Sequence, residues 1–426
     1  MTKPVFATLL TRALQISTGF VGTVLTARFL GPDLRGQYFF VVTLSLIVVQ
    51  FANLGLHASN TYYVARDERW LGPLVDNSIW VSLIAGAGGG AAAVVFVRVT
   101  ALLPTPHSSL LWFSVALPPA ILFFMLGTNL LVGVNRIGTF NLFETFANLL
   151  VVAALVTAGV AAFRLSGFLA MTTAAWTISS VALLVYLAQG GRTIAFHRRV
   201  FMSGVVYGAK AYAIAALGYL VLRSNVFLLQ RFDGARVVGY YSVAAQIADV
   251  LAMLPASVAL VLFPKLVRAE HATRWQQTIR TCAIVAAVLA ALCAVAAVAA
   301  APFVRLAFGN AYAPAIEIVR VMLPGVFALG TTMVLSQFLA SIGMPRLNVL
   351  VWVVALGAVL VLGAVLIPGH GAVGAASALS ITYWLVLALI GAVAYRHRGE
   401  SGRALAEKPV TALDELEWVP AARETP

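Results

Sequence analysis

The chain has 426 residues, 61 % of them hydrophobic and only 10 % charged, with a formal net charge of +13 and a mean hydropathy of +0.95. Soluble proteins carry about 25 % charged residues, so a water-soluble globular enzyme is excluded at once. The basic surplus is scattered between apolar runs and reads as loop charge rather than as a nucleic-acid surface.

At about 20 apolar residues per bilayer crossing, a chain of this length has room for about twelve spans. The apolar stretches are continuous rather than alternating, which specifies helices and not a barrel. In chain order, six spans are predicted over 6–30, 36–56, 78–97, 109–134, 141–163 and 167–188. Six more follow over 206–229, 238–263, 282–301, 318–340, 347–367 and 372–394. Lys3 leads into the first span with no cleavage site behind it, so that span is expected to be retained. Cys282 and Cys293 share one apolar run, about 16 Å apart if helical, and cannot bridge each other.

Arg28-Phe29, Gly36 and Tyr38 recur as Arg231-Phe232, Gly239 and Tyr241 at a constant offset of 203 residues. Each copy closes the first span of a six-span half and opens the next, which implies a parallel repeat about an axis along the membrane normal. The expected fold class is an all-α polytopic membrane protein of about twelve transmembrane helices, in two pseudo-symmetric six-helix bundles around a central cavity. The expected divisions are 1–200, 201–395 and a polar tail over 396–426. Loop cations number seventeen on the side of the termini and seven on the other, so the positive-inside rule places both termini in the cytoplasm. Arg12, Lys210, Arg223 and Arg320 remain within or near spans.

No phosphate-binding GxxxxGK[ST] loop, HExxH or GxSxG motif is present. Neither ATP hydrolysis by that route, nor a cofactor, nor a metal site is expected, and no connection between spans is long enough for a soluble catalytic loop. Polar residues inside the spans carry the remaining information, because a central charge costs about 2.5–3.5 kcal/mol on insertion scales. In the first span a stripe from Thr8 to Thr26 includes Arg12 and Gln15. It reads either as helix contact through hydroxyl and small residues or as the wall of a polar lumen. Tyr212, Tyr219 and Arg223 lie within about 40° of one line on the seventh span, and Lys210, off that line, can snorkel. Asp249, mid-way along the eighth span, calls for a partner, a proton or a coupled cation, and Glu144 sits with Asn141 and Asn148 on the fifth. The candidates are therefore Arg12, Gln15, Lys210, Tyr212, Tyr219 and Arg223 for substrate, and Asp249 and Glu144 for ion coupling. Pro118-Pro119, Pro255 and Pro324 are expected to interrupt their spans, and Glu317 and Arg320 to form a local pair.

The stretch Ala27-Arg28-Phe29-Leu30-Gly31-Pro32, followed by Gly36-Gln37-Tyr38, resembles the start of polysaccharide flippases of the Wzx type. Leu366-Ile367-Pro368-Gly369-His370-Gly371-Ala372-Val373-Gly374-Ala375-Ala376 resembles the pattern between that family's last two spans, and Phe308-Gly309-Asn310-Ala311-Tyr312 and Ile342-Gly343-Met344-Pro345-Arg346 also fit. The resemblance covers about residues 1–395 and extends to the wider superfamily of multidrug, oligosaccharidyl-lipid and polysaccharide exporters. It implies a transporter moving an undecaprenyl-diphosphate-linked oligosaccharide to the outer leaflet of a bacterial inner membrane, not an enzyme. The implied partners are that lipid-linked substrate, membrane lipid, and a polysaccharide polymerase with other assembly proteins, with no nucleic acid or ATP. A multidrug exporter of the same superfamily and a membrane-embedded glycosyl-transferring enzyme stand as alternatives.

Overall fold

The computed structural model describes residues 2–102, 110–188, 194–343 and 345–399, with the side chains of 2–10, 12–13, 209–211, 271–272 and 345–346 left aside. Residues 400–426, most of the expected tail, lie outside the described residues. Every regular element among the described residues is a helix. The first half holds α1 (Thr2–Asn53), α2 (Leu56–Arg66), α3 (Leu71–Val81), α4 (Ala87–Val99), α5 (Phe113–Gly133), α6 (Ile137–Val160) and α7 (Leu165–Leu187). The second holds α8 (Arg198–Phe232), α9 (Ala235–Arg268), α10 (His271–Phe308), α11 (Ala315–Ser341) and α12 (Pro345–Arg396).

Ten helical stretches among the described residues are long and apolar enough to cross a membrane. Two of them, in α1 and α12, each carry two spans, which restores the twelve. In α1 the turn is a single residue: Gly31 leaves helical geometry at φ 68° and ψ 174°, a conformation that only glycine adopts without strain. Pro32 then restarts the helix where a missing N–H costs nothing. Arg35, nine residues beyond Thr26, reaches back to it at 2.6 Å across this bend. In α12, Gly371 (φ 53°, ψ −134°) does the same, and a Cβ at Gly374 would stand 2.7 Å from the Leu366 carbonyl carbon.

The prolines behave differently from the sequence expectation. Pro118, Pro119, Pro255 and Pro324 lie inside continuous helices. The irregularity falls instead in the third span, where a π-turn over Ser82–Gly86 joins α3 to α4. It precedes the Gly86–Gly90 run, which brings the third span onto α5, with Gly86 against Pro119 and Gly90 against Ser114 and Val115. Helices also overrun the predicted spans. The 38 residues of α10 measure about 57 Å, nearly twice the hydrocarbon thickness, because its first turns rest on protein. There Arg274, 6 % exposed, donates to the carbonyls of Ser341 (3.4 Å) and Ala269 (3.2 Å), and Trp275 meets Phe338 and Tyr395.

The largest buried cluster draws on both halves, with Phe40, Leu155 and Phe168 from the first and Tyr241, Val304 and Met322 from the second. The segment joining the halves is fastened to the first. Asn77 on α3 donates to the His197 carbonyl (3.1 Å) and accepts from its N–H (2.8 Å), while the His197 ring lies 3.4 Å from Asp76.

Candidate functional site

The polar positions of α1 divide between packing and cavity. Thr18, Thr23 and Thr26 return their hydroxyls to their own helix, to the carbonyls of Leu14, Gly19 and Gly22 at 2.8–3.1 Å, which lets them face other helices without an unmet donor. Thr18 also reaches Asn148 on α6 (3.4 Å), and Thr23 reaches Gln246 on α9 (3.0 Å). Gln15 donates to Glu144 of α6 at 2.7 Å. These two line a cavity of about 490 Å³ within the first half, together with Thr128, Asn129 and Trp176. The side chains of Arg12 and Lys210 lie outside the described residues.

In the second half Arg223 on α8 meets Asp249 on α9 at 2.6 Å, with the two side chains 12 % and 27 % exposed. Tyr219 and Phe39 present their rings 5.8 and 5.9 Å from the guanidinium, an arrangement that stabilises a cation shielded from water. Nη1 of Arg223 has no hydrogen-bond partner. Asp249 also borders a cavity of about 190 Å³ lined by Tyr241, Tyr383 and Met322. Tyr212 lies apart from this pair, donating to Gln50 Oε1 at 2.6 Å beside His57. The structure therefore brings together Gln15 with Glu144, and Tyr219 with Arg223 and Asp249. It separates these two groups by half, and it does not pair Glu317 with Arg320, whose Nε donates to the Ala297 carbonyl instead (3.1 Å).

The seam between the halves follows the sequence repeat. At the end away from the termini, a Cβ on Gly36 would stand 2.6 Å from the Ala235 carbonyl carbon, and one on Gly239 would stand 2.9 Å from that of Pro32. Pro32 and Ala235, like Gly36 and Gly239, are related by the 203-residue offset, so the two contacts exchange under the pseudo-two-fold. Only the absence of Cβ atoms permits this approach. Arg35 is sealed into the same seam at 4 % exposure, bonded to Thr26 of its own half and to Ser242 of the other (3.3 Å). Arg28 donates to the carbonyls of Ala307 (2.7 Å) and Leu306, satisfying the open end of α10 with a cation. At the end carrying the termini, Gly55 meets Gly208 backbone to backbone, and Tyr62 stacks on Tyr207 with centroids 4.5 Å apart.

The predicted spans 6–30 and 36–56 leave Arg35 between them as one of the seven loop cations, yet the one-residue turn at Gly31 leaves no loop, and the repeat glycine beside it is the signal that marks a buried position. Two apolar grooves flank the seam. One of about 500 Å³ runs between α1, α9 and α10 past Ile247, Val250 and Leu251. The other, about 550 Å³, runs between the second span, α4 and Phe227 past Leu44, Ile47 and Val48, in register with the first at the same offset.

A family model described as "Polysaccharide biosynthesis protein" matches residues 1–270. No curated protein matches the sequence. Among solved structures, the chain is similar to the lipid II flippase MurJ in an inward closed conformation, at 12 % identity and a TM-score of 0.74, with 94 % of this chain and 90 % of that one covered. An inward-facing multidrug resistance MATE family transporter of the MOP superfamily gives 13 % identity, a TM-score of 0.71, and coverage of 90 % and 94 %. An outward-facing one gives 15 %, 0.64, 92 % and 94 %. At such identities these likenesses establish the fold, a two-lobe helical membrane architecture.

Proposed function

The chain belongs to the polysaccharide biosynthesis protein family, and on that premise we propose that it is a flippase carrying an undecaprenyl-diphosphate-linked oligosaccharide from the cytoplasmic to the outer leaflet. The observation that carries this reading is the pair of apolar grooves in register beside the seam between two lobes. A diphosphate with its sugars cannot cross hydrocarbon unaided, whereas a polyprenyl tail need never leave it. Grooves of this kind let the tail stay in lipid while the head group passes between the lobes. Gln15 in the cavity of the first lobe and Tyr219 and Arg223 in the second, together with the sequence candidates Arg12 and Lys210, would supply donors and positive charge to an anionic head group, Nη1 of Arg223 being free beside Asp249. Asp249 and Glu144 are the groups through which an ion gradient acts. The loop-charge bias puts both termini on the cytoplasmic side of a bacterial inner membrane, and a polymerase with other assembly proteins receives the product. The chain performs no chemical step of its own.

Multidrug export is the second reading, favoured by the structural likeness to MATE transporters. Cations outnumber carboxylates inside the spans, which suits an anionic head group better than a cationic drug. The test is head-group translocation in proteoliposomes, with a lipid-linked oligosaccharide and, separately, a lipophilic cation. Protection of the oligosaccharide from an external glycosidase supports the flippase. Gradient-driven uptake of the cation alone replaces it with the exporter.

A further inference from the structure

We propose that the groove between α9 and α10, at the end carrying the termini, binds an anionic phospholipid of the surrounding leaflet. The groove encloses about 450 Å³. Its α9 side is apolar but for Ser257, formed by Leu254, Val258, Val261 and Leu262, its α10 side presents Gln277 and Thr281, and Lys265 and Arg280 supply its cations. From Leu254 to Lys265 is about 16 Å along the helix, the depth of one hydrocarbon leaflet. An apolar trench of that depth under two cations has the outline of one phospholipid.

The rim cations are available. Among the described residues neither Lys265 nor Arg280 takes part in an ion pair. Their pseudo-equivalents at the 203-residue offset are Tyr62 and Asn77, and there the place is taken. Tyr62 stacks on Tyr207 of α8, and Asn77 holds the His197 backbone. In the first half, α8 and the residue before it therefore occupy the positions that correspond to the rim of this groove. Basic pockets between helices at the cytoplasmic surface are suited to phosphate head groups.

A hydrocarbon chain fits the trench better than a peptide does. Backbone N–H and C=O groups laid along it at membrane depth would face lipid without partners. The acidic stretch with Asp414, Glu415 and Glu417 matches the rim in charge and is the competing occupant. A lipid lodged here braces α9, the helix that carries Asp249, against α10.

Native mass spectrometry of the full chain, titrated with phosphatidylglycerol or phosphatidylcholine, tests the site. Each cation near an anionic surface is worth about fivefold in affinity, so the double variant Lys265→Gln, Arg280→Gln should bind phosphatidylglycerol about 30-fold more weakly. Val258→Trp, which fills the trench and leaves both cations, should weaken both lipids. Arg198→Gln with Arg199→Gln, removing two exposed cations at the same end, should change neither. Equal retention of the two lipids by the native chain overturns the assignment, as does unaltered phosphatidylglycerol binding by the double variant. Binding that appears only after Asp414, Glu415 and Glu417 are neutralised also overturns it, in favour of the tail.

Discussion

Asp249→Asn removes the charge facing Arg223 and keeps the side chain's size and hydrogen-bonding capacity. The guanidinium would then sit 12 % exposed between the rings of Tyr219 and Phe39, with Nη1 already lacking an acceptor. Breaking a fully buried pair costs about 3–5 kcal/mol. Asp249 retains 27 % of its exposure, so some solvation survives and the loss belongs at the lower end, about 3 kcal/mol. For a unit of about 200 residues, 1 kcal/mol moves the melting temperature by about 2–4 °C, so the variant should melt about 6–12 °C lower. The double variant Arg223→Met, Asp249→Leu leaves no uncompensated charge and should recover most of that loss. Thermal unfolding of the purified protein in detergent measures both. A single variant melting within about 1 °C of the native chain refutes the structural role. If the same variant also loses gradient dependence of head-group translocation, Asp249 is a coupling group whose pairing with Arg223 is incidental to stability.

Gly36→Ala and Gly239→Ala each force a Cβ into the backbone of the opposite half and should hold the far seam open. With Cys282 and Cys293 replaced by Ala, labelling of Ser242→Cys by a membrane-impermeant thiol reagent should then rise about tenfold, and unchanged labelling sinks the seam as a gate. Glu144→Gln should preserve the hydrogen bond with Gln15, and hence folding, but abolish complementation of a flippase-deficient strain. Full complementation removes Glu144 from the transport path. Reporter fusions after Val200 and Ala269 should read cytoplasmic, and those after Arg98 and Asp233 external. Reversal at two or more of these sites overturns the proposed orientation.

Span number and the repeat were legible because hydrophobic length and a constant offset are one-dimensional properties. Partners were not, since they depend on how helices rotate about their axes. Asp249 announced its need for a partner, but Arg223 could be matched to it only once α8 and α9 were seen side by side. Arg35 reads as a loop cation for a related reason: the residues after an Arg-Phe-Leu-Gly corner look like a loop, and a corner made by one glycine turns Arg35 into the seam while Asp33 and Leu34 stay exposed. Thr18, Thr23 and Thr26 satisfy themselves on their own backbone, so this part of a polar stripe in the sequence is a packing face. The prolines bend nothing visible in the element boundaries because each sits within an otherwise unbroken run of intrahelical bonds.

The fastening of His197 by Asp76 and Asn77 bears on how such a molecule can move. His197, the residue before α8 begins, is anchored to the first lobe. With His197 held there, any relative rotation of the lobes would have to be taken up within α8. Val200, in the first turn of α8, is buried against the first lobe, so such a rotation would hinge beyond it and carry Arg223, further along the same helix, with the second lobe.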